Sequence, residues 1–341
     1  MNLLSARLSA IGLLCFTSLS SLSAAASAAD FPRLVLARTA EVQVVDEARR
    51  PQAIPVGLLL DVLRADGEHY WVGRGWVAAD QVIGLDDAVA HFTAELKTEP
   101  TPFAYVSRAR ARTQLGRHAE AEADCRAALA LEPDYAPAHC QLGRALTMQK
   151  RTNAAVAALD RALELDPKSA IAYCCRAQAH QASGDEASAA GDYDRSLELD
   201  SQLVVAYFQR SGIRSRRGDE PGAMDDLIEV LVRHPDHFLA LNNRGNLWAA
   251  RRQWSYAISD YTAALKVASR ADVFMNRARA LHAAGRPREA LVDCNEALRL
   301  DPTSEQAYRR RAALLGELGR ESEAGDDLQR ADRLTSLGGG T

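Results

Sequence analysis

The side chains able to do chemistry here are a scatter of histidines and cysteines and a recurring set of arginines and aspartates. The eight histidines are His69, His91, His118, His139, His180, His234, His237 and His282. None stands in the HxxxH or HExxH spacing that aims two imidazoles at one metal ion. His234 and His237 flank a Pro235-Asp236 turn, a junction exposed to water. Beyond the first thirty residues the cysteines are Cys125, Cys140, Cys174, Cys175 and Cys294. An odd, scattered set with one adjacent pair is no disulfide framework, so they read as small buried hydrophobes. Phosphate-cradling GxGxxG and GxxxxGK[ST] loops and the GxSxG nucleophile elbow are absent. The expectation is a non-catalytic chain with no cofactor and no metal.

The recurring residues lie on a period. Pro133, Pro167, Ser201, Pro235, Ser269 and Pro302 follow one another at 34-residue steps, the last at 33. Seven units start near Pro102, Ala136, Ala170, Val204, Phe238, Ala271 and Glu305. The fourth place is large: Tyr105, His139, Tyr173, Tyr207, Leu241, Phe274, Tyr308. The eighth is small, the twentieth is always Ala, and five units have Gly at the fifteenth, where a helix takes a left-handed stop. Arginine fills the seventh place of six units (Arg108, Arg176, Arg210, Arg244, Arg277, Arg311), and aspartate the twenty-third of the same six (Asp124, Asp192, Asp226, Asp260, Asp293, Asp327). The second unit has Leu142 and Ala158 there, so both charges vanish together. That pattern predicts a partly buried bidentate ion pair between a first and a second helix, in the same or the adjacent unit, with a structural role.

Composition agrees with many slender helices. The 341 residues are 47% hydrophobic but only 6% aromatic, with 21 glycines and 12 prolines, which excludes collagen-like and wholly disordered chains. A net charge of −4 gives no footing for nucleic-acid binding over the whole surface.

The small/large/small/Pro pattern over 34 residues resembles the tetratricopeptide repeat family. Asp86 to Pro100, with Ala88, Phe92 and Pro100 in matching places, resembles the second helix of an extra half repeat. The resemblance implies a mainly α fold, a right-handed α-solenoid of about seven and a half units over residues 86–338 with a concave inner surface. It divides into a half repeat or linker helix at 86–101 and seven repeats at 102–338, with a flexible tail at 339–341.

The N-terminal part has a different texture. Arg7, an apolar stretch from Leu8 to Leu22 and the small-x-small Ala26-Ser27-Ala28 make residues 1–28 a secretory signal peptide, cut after Ala28. Between 31 and 85, β-prone runs are punctuated by Pro51, Pro55, Gly57, Asp66-Gly67, Gly73 and Gly75, which predicts a small antiparallel barrel of about five strands. The run from Gly57 to Val82 resembles a bacterial SH3-like domain. Tyr70, Trp71 and Trp76 would either line a ligand groove on it or fill its core.

In the resembled family, ligands touch the second, fifth, ninth, twelfth and thirteenth places of the first helices. Carried onto this chain, those places hold Arg110, Arg144, Arg216, Arg279 and Arg309, with His282 titratable and Asp272 and Glu317 acidic. They also hold the apolar Cys140, Cys174, Val205, Phe208, Leu239 and Met275, with Asn242 and Asn246 able to bond a peptide backbone. Cys140 and Cys174 share one place in adjacent units, a separation too long for a disulfide. A groove so lined suits a protein or peptide segment with acidic and apolar side chains. The same arginines also fit a merely solvated face. The reading is an exported interaction scaffold, periplasmic or extracellular, without a membrane span after cleavage and without nucleic acid. The alternative is a cell-envelope module in which the SH3-like domain binds peptidoglycan or another wall polymer.

Overall fold

The computed structural model describes residues 34–37, 43–45, 51–53, 59–62, 64–65, 68–72 and 76–338. The signal segment 1–28, the Asp66-Gly67 turn and the tail 339–341 lie outside the described residues. The chain divides into two compact bodies, Met1–Gln202 and Leu203–Thr341.

The N-terminal body begins with strands only two to four residues long, and Pro51, Gly57, Gly67, Gly73 and Gly75 stand at or between several of them. They are β1 (Leu34–Ala37), β2 (Gln43–Val45), β3 (Pro51–Ala53), β4 (Leu59–Asp61), β5 (Arg64–Ala65), β6 (His69–Trp71), β7 (Trp76–Ala78) and β8 (Val82–Gly84). About five strands were expected; these eight form two antiparallel sheets, ordered β4-β1-β8 and β3-β2-β7-β6-β5. Pro51, which cannot donate to a ladder, opens the edge strand β3. Arg64 pairs with Trp71 and Ala65 with Tyr70 across the Asp66-Gly67 connection. Val62, Val72, Val77 and Val82 are buried, while Tyr70 and Trp76 are half-buried.

Helix α1 (Leu85–Thr98) follows β8 directly and buries Ala88 and Phe92 against Ala104 and Phe103 of the next helix. Three helix pairs complete this body: α2 (Pro102–Gln114) with α3 (His118–Leu131), α4 (Ala136–Met148) with α5 (Thr152–Leu165), and α6 (Ala170–Ala182) with α7 (Glu186–Leu199). The C-terminal body holds four more: α8 (Val204–Arg216) with α9 (Glu220–Arg233), α10 (Phe238–Ala250) with α11 (Trp254–Val267), α12 (Ala271–Ala283) with α13 (Pro287–Leu300), and α14 (Glu305–Glu317) with α15 (Glu321–Gly338). Within each body the pairs stack, so a face that one hairpin cannot cover is buried by its neighbour.

Two backbone constraints make the hairpins alike. First, the helices of a pair touch closely at the eighth place: a Cβ on Gly143 would lie 2.4 Å from Leu159, and one on Gly245 2.7 Å from the Tyr261 ring. Both large partners are fully buried at the twenty-fourth place. Second, every first helix ends in the same left-handed turn, in which the residue three beyond the helix donates its N–H back to a carbonyl in the last turn, as Arg117 does to Arg112 and Asp185 to His180. Glycine takes the positive φ at Gly116, Gly184, Gly218, Gly285 and Gly319, where an added Cβ would meet nothing. Conformation, not space, selects glycine there. Lys150 and Arg252 adopt the same turn at φ 61° and 56° and bear the left-handed cost.

Lys150→Gly and Arg252→Gly are therefore expected to raise stability by about 0.5–1 kcal/mol each, and Gly116→Ala to lower it by a similar amount. Urea denaturation of the three variants measures it.

Candidate functional site

Arginine on the first helices has three different fates, and sorting them defines the site. The first is the structural clamp. In six repeats the seventh-place guanidinium lies edge-on to the twenty-third-place carboxylate of the same repeat, with two parallel bonds of 2.6–3.0 Å: Arg108 on Asp124, Arg176 on Asp192, Arg210 on Asp226, Arg244 on Asp260, Arg277 on Asp293 and Arg311 on Asp327. Each aspartate is buried; its arginine stays partly in reach of water. In five of these repeats the guanidinium carbon also sits 5.4–5.7 Å from the ring centre of the fourth-place aromatic, one helical turn earlier.

The third nitrogen reaches the preceding hairpin. Arg108 donates to Thr93, Arg176 to Asp160, Arg277 to Thr262 and Arg311 to Asn295, at 2.7–3.1 Å. Asp124 and Asp226 each accept from a second guanidinium as well, Arg112 and Arg214, one turn after the clamp arginine. Sequence reading missed the stacked ring and the bond to the preceding hairpin, although the first was visible in the fixed fourth-to-seventh spacing. In the second repeat Leu142 is buried instead, and Gln141 beside it donates 2.8 Å to Thr113 of the previous first helix.

The second fate is neutralisation or burial of residues expected on the groove. Arg309 is exposed, but its Nε donates to Glu305 at 2.6 Å and its Nη2 to Asp332 at 3.0 Å, so it carries little unbalanced charge. Arg110, expected to face a ligand, is only 6% exposed, and its Nη1 has no hydrogen-bond partner. Cys125, Cys140 and Cys175 are close enough to act on its charge. Burial, with Arg144 adding to it, pulls its pKa down to about 10. Arg144 itself is half-buried.

The third fate is an arginine facing open space without a carboxylate. Arg279 is exposed and, among the described residues, donates only to Asn276 Oδ1, at 3.2 Å. Arg310 is half-buried with its Nε unpartnered, and burial, partly offset by Cys294 and reinforced by Arg279, lowers its pKa. Sequence reading missed Arg310, because in the run Arg309-Arg310-Arg311 the three side chains point into a surface pair, a cleft and a clamp respectively. That cleft, about 410 Å³, lies between α12 and α14 and is lined by His282, Glu305, Gln306, Arg309, Arg310 and Ala313. His282 bonds Glu317 at 2.7 Å, which closes off one titratable group at its side.

Other expected groove residues scatter. Val205 and Leu239 are exposed at 43% and 45%, and the half-buried Phe208 ring packs 4.9 Å from His237. Asn242 accepts from Asn276 at 3.2 Å and so ties α10 to α12, while exposed Asn246 accepts from Tyr261 at 2.8 Å. Arg216 is exposed. On the sheets, Tyr70 and Trp76 are half-buried, and the side chain of Trp71 lies outside the described residues. Among the described residues no group of three or more His, Cys, Asp or Glu is placed to hold a metal ion. No helix among them is long and apolar enough to cross a membrane.

Tetratricopeptide-repeat models match residues 84–136, 143–184 and 271–304. A curated relative, the serine/threonine-protein phosphatase T of Trypanosoma brucei brucei, is 36% identical over 84 residues, which is 25% of this chain. The match takes in only 18% of that protein's length. Among solved structures, the APC/C hetero-tetramer Cut9–Hcn1 superposes with TM-score 0.54 at 16% identity, covering 74% of this chain and 50% of that one. Pseudomonas aeruginosa pilF superposes with TM-score 0.52 at 19% identity, covering 60% and 93%. Residues 84–136, 143–184 and 271–304 thus match tetratricopeptide repeats, within a mainly helical fold.

Two stability predictions separate the first two fates. Arg244→Leu strands the buried Asp260 carboxylate and should cost about 3–5 kcal/mol, whereas adding Asp260→Leu should recover much of that loss. A thermal-denaturation double-mutant cycle reads the coupling. Arg110→Met should instead stabilise the fold by about 1–3 kcal/mol at neutral pH. The unfolded chain holds the Arg110 proton more tightly, so this penalty is fully present below about pH 10 and lessens as pH rises from there towards 12.5.

Proposed function

We propose that the protein is an exported, non-catalytic scaffold that binds an extended acidic and apolar protein segment on the first-helix face of its C-terminal body. The observation that carries this reading is the cleft between α12 and α14, where Arg310 and nearby Arg279 lack any carboxylate partner among the described residues. A guanidinium held part-way out of water without a counter-ion favours a carboxylate that arrives with a ligand, because a charge-assisted bond then offsets the desolvation already incurred. The exposed Val205 and Leu239, on α8 and α10 of the same body, supply apolar contact, and Asn246 a backbone-bonding amide. The leader-like residues 1–28 support export, and the short antiparallel strands between 34 and 84 suit a small SH3-like domain that precedes the repeats.

Fluorescence anisotropy with an extended peptide of alternating Glu and Leu tests the reading. The parent protein should bind it in a salt-dependent manner, and Arg279→Gln with Arg310→Gln together should weaken binding about tenfold or more, which corresponds to roughly 1.4 kcal/mol. Equal affinity of parent and variant, or equal binding of a Lys-for-Glu peptide, would overturn it. Circular dichroism establishes that the variant is folded.

A further inference from the structure

Arg110 stands on α2 between Ala109 and Ala111, both fully buried, and is itself only 6% exposed, with its Nη1 unpartnered. A side chain ties the next first helix, α4, to this stretch: Gln141 Nε2 donates to Thr113 Oγ1 at 2.8 Å and to the Ala109 carbonyl at 3.5 Å. Arg144 follows Gln141 by three residues, as Thr113 follows Arg110. Each arginine therefore shares a helix face with a group that joins the two helices. Arg144 is half-buried and, among the described residues, has no carboxylate partner. Two guanidiniums thus meet at the seam between α2 and α4, and Arg144 adds to burial in disfavouring the charge on Arg110.

The chain offers this seam no counter-charge. Ala109, Cys125, Leu142 and Cys175 belong to one buried apolar cluster, with Cys140 packed against it. Thr113 and Gln141 are bonded to each other. The buried carboxylate of the same hairpin, Asp124, is already held by Arg108 and Arg112. A guanidinium kept out of water without a counter-ion is costly, and an anion arriving from outside offsets that cost. The two arginines present two positive charges and two donor forks. A single carboxylate satisfies one fork and one charge, whereas a tetrahedral dianion carries both charges and presents oxygens in more than one direction.

We propose that the seam between α2 and α4 binds a small phosphate dianion, as the free ion or as a monoester, between Arg110 and Arg144. Arg110 supplies the buried charge-assisted bond, and half-buried Arg144 supplies the second from the more open side. The site lies in the N-terminal body and shares no residue with the cleft between α12 and α14, so it stands whether or not a protein segment binds there. Because the dianion binds the folded seam and not the unfolded chain, it also raises thermal stability.

Isothermal titration calorimetry of the full chain with inorganic phosphate, glycerol phosphate and acetate, at constant ionic strength near neutral pH, tests the site. Phosphate should bind saturably at a single site, and acetate about tenfold or more weakly, since it brings one charge. Arg110→Met and Arg144→Gln should each weaken phosphate binding about tenfold or more, the effect of one lost charge-assisted bond. Arg195→Gln, which removes the same charge from an exposed pair with Glu198 in the same body, should leave it unchanged. Tighter binding of inorganic phosphate supports a site for the free ion, and tighter binding of glycerol phosphate a site for an ester such as a lipid headgroup. Circular dichroism checks each variant for helicity, and if Arg110→Met fails to fold, Arg144→Gln decides. Absence of saturable phosphate binding, acetate binding as tight as phosphate, or unchanged phosphate affinity in Arg144→Gln would overturn the proposal.

Discussion

The interaction on which everything else depends is the clamp between a first-helix guanidinium and a second-helix carboxylate. The aspartate is buried, so a missing or misplaced arginine leaves a desolvated charge, which a second guanidinium offsets in part at Asp124 and Asp226. That asymmetry fixes the pairing of the two helices more strictly than apolar packing does, because small Ala and Gly contacts tolerate sliding. The aromatic ring under the guanidinium holds its plane, and in four repeats the third nitrogen bonds the hairpin before it. One residue type thus closes a hairpin and couples it to its neighbour, which is what a stack of hairpins, each unstable alone, requires.

Against that background the remaining arginines become informative. Evenly distributed carboxylates would have neutralised all of them, yet Asp and Glu are spent on the clamps and on short surface pairs such as Arg286–Glu289 and Arg320–Glu323. Arg279 and Arg310 on the C-terminal body, and Arg110 and Arg144 on the N-terminal body, have no carboxylate partner among the described residues. The two sets face different surroundings. Arg310 lines an open cleft between two helices, which suits an incoming carboxylate, whereas Arg110 is buried with its Nη1 unpartnered.

Much of this was legible in the sequence because the period repeats each constraint seven times. Helix starts at Pro102, Ala136 and their successors, the left-handed stop, and the joint loss of both charges at Leu142 and Ala158 are all statements about like places. What escaped is what differs between like places. Arg110 and Arg279 share the ninth place, yet one is buried and the other exposed, a difference that the shared place itself does not encode. Lys150 and Arg252 occupy the stop without the residue that favours it, held there by the same turn bonds as the glycines. The strand region was read with too few strands, since each is too short for period-two alternation to register.

The measurement that tests the central claim most directly is hydrogen exchange at arginine Nε–H, followed by NMR in selectively labelled protein. The clamp account requires that Arg108, Arg176, Arg210, Arg244, Arg277 and Arg311, whose Nε–H each donates to a buried carboxylate, exchange far more slowly than exposed Arg279. Six protected signals that disappear together on unfolding would match it. Exchange at those six as fast as at Arg279 would contradict it, because the carboxylates would then be satisfied by something other than their arginines.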